Sequence, residues 1–339
     1  MIDLVVIPLL KIVFVLTGVL ITVMYLVLLE RKVQAWIQSR LGPMRVGPHG
    51  ILQPVADVLK LFIKEDITPV RVDRAVYTAA PIIVLVPSLI AFAVIPFGGP
   101  VTLFGRTIDL HIADINVGLL YVVAVASIGV YGIILGGWAS NSKYPLLGAL
   151  RSSAQLISYE VAATMTLVSV IVTAGTLSMT GLVKAQLDAG VWFVFIQPVA
   201  CVIFLITSLA ETNRLPFDLP EAEAELVAGF HTEYSGMRFA LFFLAEYANM
   251  IVVSSVMTTL FFGGWLRPFP NVAWLGVLDW VPSWAWFSLK VFGFLYLFLW
   301  IRATFPRYRY DQLMRVGWKV LLPLAIANVL VSGAIKVLF

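Results

Sequence analysis

The sequence predicts an all-α polytopic membrane protein: eight transmembrane helices, long loops on one side and an amphipathic helix at the membrane interface. Three observations carry that expectation. The 339-residue chain is 60% hydrophobic and 12% charged, with a mean hydropathy of +0.96, whereas soluble domains are about 25% charged. Apolar stretches of roughly 18 to 25 residues recur, the length that crosses ~30 Å of hydrocarbon. The stretches are continuous rather than alternating, so their backbone groups are satisfied within helices and not between barrel strands.

The eight stretches lie at about 4–29, 75–96, 116–137, 157–177, 193–211, 239–262, 284–304 and 318–338. The first has no basic leader and no small-residue cleavage site, so it is expected to be a retained span rather than a signal peptide. Between the stretches, the loops at 30–74, 138–156, 212–238 and 305–317 hold seventeen Lys and Arg residues, counting those at their edges, and the opposite loops only Arg106, Lys184 and Arg267. The positive-inside rule therefore places those four loops inward and both termini outward. Trp192, Trp265, Trp274, Trp280, Trp284 and Trp286 fall near the outward ends, as an interfacial belt requires. No linker or internal repeat divides the chain, so residues 1–339 are expected to form a single membrane domain. The lack of a repeat argues against a secondary transporter, since those folds are commonly built from repeated halves.

Within the first inward loop, Gly42-Pro43 and Gly47-Pro48 mark turns. From Gln53 to Lys64 the pattern becomes helical, with Val55, Val58, Leu59, Phe62 and Ile63 on one side and Asp57, Lys60 and Lys64 on another. Such a helix is suited to the interface plane.

The strongest pointer to function is the segment from 211 to 246, which carries Glu211, Asp218, Glu221, Glu223, Glu225, Glu233 and Glu246 between two apolar stretches. A charge at a helix centre in lipid costs about 2.5 to 3.5 kcal/mol, so carboxylates kept there usually hold or relay protons. Pro216 and Pro220 break the chain, and a helix is expected to start near Asp218 to Glu221, where acidic residues complement the dipole. Glu246 lies roughly 10 Å into its apolar stretch at ~1.5 Å per residue. It is either a proton carrier or a structural hydrogen-bond partner. Glu160 in SYEVAATM and Glu211 in SLAETNR sit at span boundaries, as proton sites or as caps. Arg214 is placed to pair with Glu211 or Asp218, and Lys290 to snorkel outward or to serve a function.

Other chemistries are poorly supported. His49, His111 and His231 all fall in loops, and neither a phosphate-binding loop nor metal-ligand spacing occurs. The single cysteine, Cys201, allows no internal disulfide and no iron–sulfur cluster held by this chain alone. Electrons for any redox reaction must come from a partner. The net charge of +4 reflects the loop asymmetry and gives no sign of nucleic-acid binding.

Four charge-rich strings follow one another along the chain: ERKVQAWIQSRLGPMRVGPHGILQPVADVLKLFIKED, LRSSAQLISYEVA, ETNRLPFDLPEAEAELVAGFHTEYSGMRFALFFLAEYANM and WIRATFPRYRYDQLM. Together, over nearly the whole chain, they resemble the quinone-site membrane subunit of respiratory complex I, which bacteria and mitochondria share. The resemblance implies a subunit of a proton-pumping NADH:quinone oxidoreductase, not catalytic alone, in a bacterial inner membrane in preference to a mitochondrial one. It implies quinone as substrate and no cofactor on this chain, with FMN and iron–sulfur clusters in partners. Those partners are soluble iron–sulfur subunits at the quinone site and other membrane subunits. By the same resemblance Arg31, Gln34, Trp36, Arg40, Asp57, Lys60, Phe230, Arg302 and Arg309 would contact quinone or its channel. Glu160, Glu211, Arg214, Asp218, Glu221, Glu223, Glu225, Glu233 and Glu246 would form the proton path. A membrane-bound hydrogenase subunit, a standalone ion transporter and a passive anchor for redox subunits are the competing readings.

Overall fold

The computed structural model describes residues 5–103, 105–218 and 228–338. Apart from a two-stranded hairpin, β1 (Val101–Leu103) and β2 (Arg106–Ile108), its regular structure is helical. Among the described residues, seven helices are long and apolar enough to cross a membrane. They are α1 (Ile7–Ile37), α3 (Arg74–Ile90, prolonged by a 3-10 turn to Val94), α4 (Gly118–Ala139), α5 (Lys143–Ala174), α9 (Gly236–Phe261), α10 (Ser283–Thr304), and the continuous unit of α11 (Tyr310–Val316), a π turn and α12 (Leu322–Leu338). The helix expected in the first inward loop is α2 (Gln53–Ile63). A further short helix, α6 (Met179–Ala189), follows α5.

The fifth apolar stretch differs from a single span. It is split into α7 (Phe193–Ile196) and α8 (Pro198–Glu211). Pro198 lacks an amide hydrogen and disfavours helical geometry at Gln197, whose ψ of 55° lies outside the helical range. The break is polar but satisfied: Gln197 donates to Thr173 Oγ1 and Ser332 Oγ, each at 2.8 Å, and accepts from Asn328 at 3.0 Å.

Three loops expected on the inward side are shorter than the apolar stretches suggest, because helices extend beyond those stretches. α5 starts at Lys143, so most of 138–156 is helix and Glu160 lies about 26 Å from the helix start at ~1.5 Å per residue. Its polar first half stays helical because Ser152, Ser153 and Gln155 are buried against other chain segments. α1 runs on to Ile37, where no Gly or Pro stops it, and carries Glu30, Arg31, Gln34 and Trp36 with it. Residues 310–316 of the last inward loop are α11. The helix expected to begin near Asp218–Glu221, with Glu221, Glu223 and Glu225, lies outside the described residues.

Close helix approach is licensed by small residues. A Cβ on Gly132 of α4 would sit 2.4 Å from Val84 of α3, and one on Gly137 would sit 2.3 Å from the Ala149 Cβ of α5. α9 is the central span, buried over most of its length. Large apolar side chains such as Phe14, Leu120, Phe292 and Leu330 face outward, as a lipid solvent allows.

Candidate functional site

Two neighbouring features occupy the half of the bundle nearer α2: a buried ionic hub and a carboxylate-lined cavity. The hub centres on Glu30 of α1, which is 6% exposed. Its Oε2 accepts from the Tyr247 hydroxyl at 2.6 Å, and its Oε1 accepts from Arg302 of α10 and from Gln34 Nε2 at 3.3 Å. Arg214, just beyond α8, approaches Glu30 Oε2 at 3.5 Å and pairs with Glu246 Oε1 at 2.7 Å through Nε. The Arg214 guanidinium also lies 4.3 Å from the Tyr247 ring centroid. Two carboxylates and two guanidinium groups from α1, α9, α10 and the turn after α8 thus offset one another where water is scarce, and truncating one partner would leave a buried charge uncompensated.

The expectation that Arg214 neutralises Glu211 or Asp218 is corrected. The chain turns sharply after α8, with Asn213 at φ 50°, and carries Arg214 toward Glu246 and Glu30. Asp218, 4% exposed, pairs with Arg307 at 3.0 Å.

Beside the hub lies a partly open cavity. Glu160, Glu211 and Glu246 line it together with Asn213, Asn249 and His231, and Phe230, Phe239, Phe242 and Phe243 form much of its wall. Ser127 of α4 donates to Glu160. A second, largely apolar cavity shares Ala126, Glu160, Glu211 and Asn249 with the first. Glu246 therefore belongs to both features: it is paired with Arg214 and it faces the cavity. His231 packs edge-on against Phe230 and Phe239, and burial lowers its imidazole to about 4, so it is neutral near pH 7.

The other expected proton-path residue, Glu233, does not line the cavity. Its carbonyl accepts from the Tyr77 hydroxyl at 2.7 Å, and Tyr234 stacks on Tyr77 at 4.1 Å, which ties this loop to α3.

The expected quinone residues fall into separate groups. Arg31 of α1 and Asp57 of α2 form an exposed ion pair at 2.5 Å, and Gln53 donates to Asp57 at 2.9 Å. Trp36, Arg40 and Lys60 are exposed on or just beyond the same two helices, with Arg40 bonded to Gln38 at 2.7 Å. Gln34 and Arg302 belong to the Glu30 hub, and Phe230 to the cavity wall. Arg309 is 80% exposed and pairs with Asp311 at 3.2 Å.

Sequence reasoning missed Glu30, Tyr247, His231 and Asn249. Glu30 closes the apolar run VLLERK and reads as a boundary residue; only the continuation of α1 buries it. Tyr247 and Asn249 follow Glu246 at i+1 and i+3 on the same helix, and that closeness was the available signal. Lys290 does not join the site: its Nζ donates to the carbonyls of Phe262 (2.7 Å), Gly264 (2.9 Å) and Leu266 (2.6 Å), capping the far end of α9.

The fold and site define a polytopic helical membrane protein with a buried ionic hub joined to a carboxylate-lined cavity. A sequence profile described as NADH dehydrogenase matches residues 10–333, and the chain belongs to that family. Its relatives include the H-type subunits of bacterial NADH-quinone oxidoreductases. The chain is 55% identical over 93% of its length to the first of two such subunits in Geobacter metallireducens, of which 92% is covered. Identity is 54% to the first of the two in Geobacter sulfurreducens, covering 96% of this chain and 93% of that one. It is 48% to the one numbered second in Solibacter usitatus, covering 93% and 92%.

Proposed function

We propose that this chain is the quinone-site membrane subunit of a proton-pumping NADH:quinone oxidoreductase in a bacterial inner membrane. In this reading the charged loops and α2 face the cytoplasm and both termini face the periplasm. The name carried by the bacterial relatives supports the enzyme assignment. The shared position of Glu246, paired with Arg214 and facing the cavity, carries the coupling role.

Electrons pass from NADH through FMN and iron–sulfur clusters of soluble partner subunits to a quinone, which takes two electrons and two protons to become quinol. This chain holds its own part of that site: α1, α2 and the end of α10 offer a quinone Arg31, Gln34, Trp36, Arg40, Asp57, Lys60 and Arg302, with Arg309 at the junction with soluble partners. Phe230 lies where an aromatic wall meets the cavity. Outward apolar faces on α1, α10 and α12 suit lipid and neighbouring membrane subunits.

Coupling follows from shared partners. Arg302, Tyr247 and Arg214 all draw on the charge of Glu30. A quinone that gains charge near Arg302 changes how much of that carboxylate is left for Arg214. Arg214 then changes its hold on Glu246, whose protonation is coupled to the nearby carboxylates Glu211 and Glu160. Asp218, with Glu221, Glu223 and Glu225, supplies the chamber side of this path, and Glu233 belongs to its continuation into the bundle.

The deciding experiment is Glu246→Gln in the assembled complex, assayed in inverted membrane vesicles. NADH-driven quinone reduction and acidification of the vesicle lumen are expected to fall together, while NADH oxidation by ferricyanide persists. Pumping at the parental rate would reduce this chain to a passive anchor for the redox subunits.

A further inference from the structure

α4 contains glycines of two kinds. Gly132 and Gly137 are required by packing, since an added Cβ would collide with α3 or α5. Gly129 has no such requirement: an added Cβ meets nothing within 4 Å. Glycine is disfavoured in a helix interior relative to alanine, so this position has a cost without a packing return.

The position of Gly129 supplies the reason. Ala126, Gly129, Val130 and Ile133 recur at i, i+3, i+4 and i+7 on the face of α4 that lines the carboxylate cavity. The exposed residues Leu120, Ile128, Tyr131 and Trp138 lie away from that face, toward lipid. Gly18, Gly293 and Gly333 also have open Cβ positions, but they line neither cavity. Within the cavity, Ser127 of α4 donates to Glu160 of α5, whereas the Glu211 carboxylate has no hydrogen bond to another described residue. Glu211 shares the space with Glu160, Asn249 and Glu246. Water can bridge polar groups that are not bonded to one another directly.

We propose that Gly129 is the space-keeping residue of this cavity, its absent side chain leaving room for the water that joins Glu160 and Glu211 to Glu246. A leucine there would displace roughly three or four waters at ~30 Å³ each. The carboxylates and their direct partners would be untouched, so the chemistry of each group would stay and their connection would be lost. This inference rests on the reading of these carboxylates as a proton path.

The test is a size series at one position in the full complex, Gly129→Ala, →Val and →Leu, with Gly293→Leu at an open position away from both cavities as control and Glu246→Gln in parallel. Coupled quinone reduction should fall stepwise, by roughly tenfold at leucine, with ferricyanide reduction and assembly retained and Gly293→Leu unaffected. Full activity of Gly129→Leu beside an impaired Glu246→Gln would overturn the inference and leave the proton-path reading standing. Full activity of both would remove that reading and the inference with it. Should the leucine variant fail to assemble, Gly129→Cys decides the matter. The only native cysteine of the chain, Cys201, is buried. A hydrated cavity predicts that the new thiol reacts with the cationic probe trimethylammonioethyl methanethiosulfonate, faster than with its anionic sulfonatoethyl counterpart, and that the modified complex loses coupled activity. No labelling of this chain, or labelling without loss, would overturn the proposal.

Discussion

Arg214 pairs with Glu246 at 2.7 Å and approaches Glu30 at 3.5 Å, so one cation beyond α8 joins carboxylates from the first span and from the central one. Arg214 is 3% exposed. Removing one member of such a buried set costs about 3 to 5 kcal/mol, because the remaining charge stays desolvated. Arg214→Met is therefore expected to lower the amount of assembled complex sharply, read by native gel of solubilised membranes. Wild-type levels would mean that the hub is open to water.

Tyr247→Phe is a gentler probe. It keeps the ring beneath Arg214 and removes only the hydroxyl that donates to Glu30 at 2.6 Å. A hydrogen bond to a charged group contributes about 1.5 to 3 kcal/mol. The variant should assemble with a lower melting temperature and reduced quinone turnover. Unchanged turnover would detach Tyr247 from the coupling path.

Two arginines of WIRATFPRYRY separate by environment. Arg302 is bound to buried Glu30, whereas Arg309 forms an exposed pair with Asp311. Arg302→Ala should impair quinone reduction several-fold and leave ferricyanide reduction intact. Arg309→Ala should alter stability by less than about 0.5 kcal/mol, as surface substitutions usually do. A strong loss of quinone reduction from Arg309→Ala, with stability unchanged, would support its proposed place at the junction with soluble partners, and unchanged quinone reduction would remove it from that junction.

Lys290→Met tests a structural role. Three carbonyls at the end of α9 and in the following turn lose their shared donor. Thermal inactivation should be faster, with turnover per assembled complex preserved. A selective loss of pumping would instead give this ammonium a functional role.

His231 predicts a pH effect of defined sign. Its folded value, near 4, lies below the ordinary 6.5. Below about pH 6.5 the unfolded chain gains a proton that the folded one refuses, so stability falls as pH drops toward 4 and is intact above 6.5. His231→Phe, which suits the ring contacts to Phe230 and Phe239, should flatten that part of the acid decline in melting temperature. An unaltered pH profile would mean that the imidazole is solvated.

The membrane-spanning class and the placement of α2 were legible because each depends on local patterning. Continuous apolar runs report membrane spans, and a one-sided stripe reports an amphipathic helix. Glu160, Glu211 and Glu246 were also legible, since a carboxylate next to apolar sequence is costly wherever it lies. The ends of α1 and α5 were not, because a helix that leaves the hydrocarbon loses its apolar signature without losing its hydrogen bonds. The same limit hid Glu30, which looks like a boundary residue until α1 continues past it.

By itself the sequence determined the helical class, the amphipathic helix of the first loop and the set of acidic residues lying between apolar segments. Which carboxylate meets which partner was decided only by tertiary structure. Ion pairing depends on distances of a few ångströms between residues that are hundreds of positions apart, such as Glu30 and Arg302. The turn after α8, not the spacing of charges along the chain, sent Arg214 to Glu246 and left Glu211 facing the cavity.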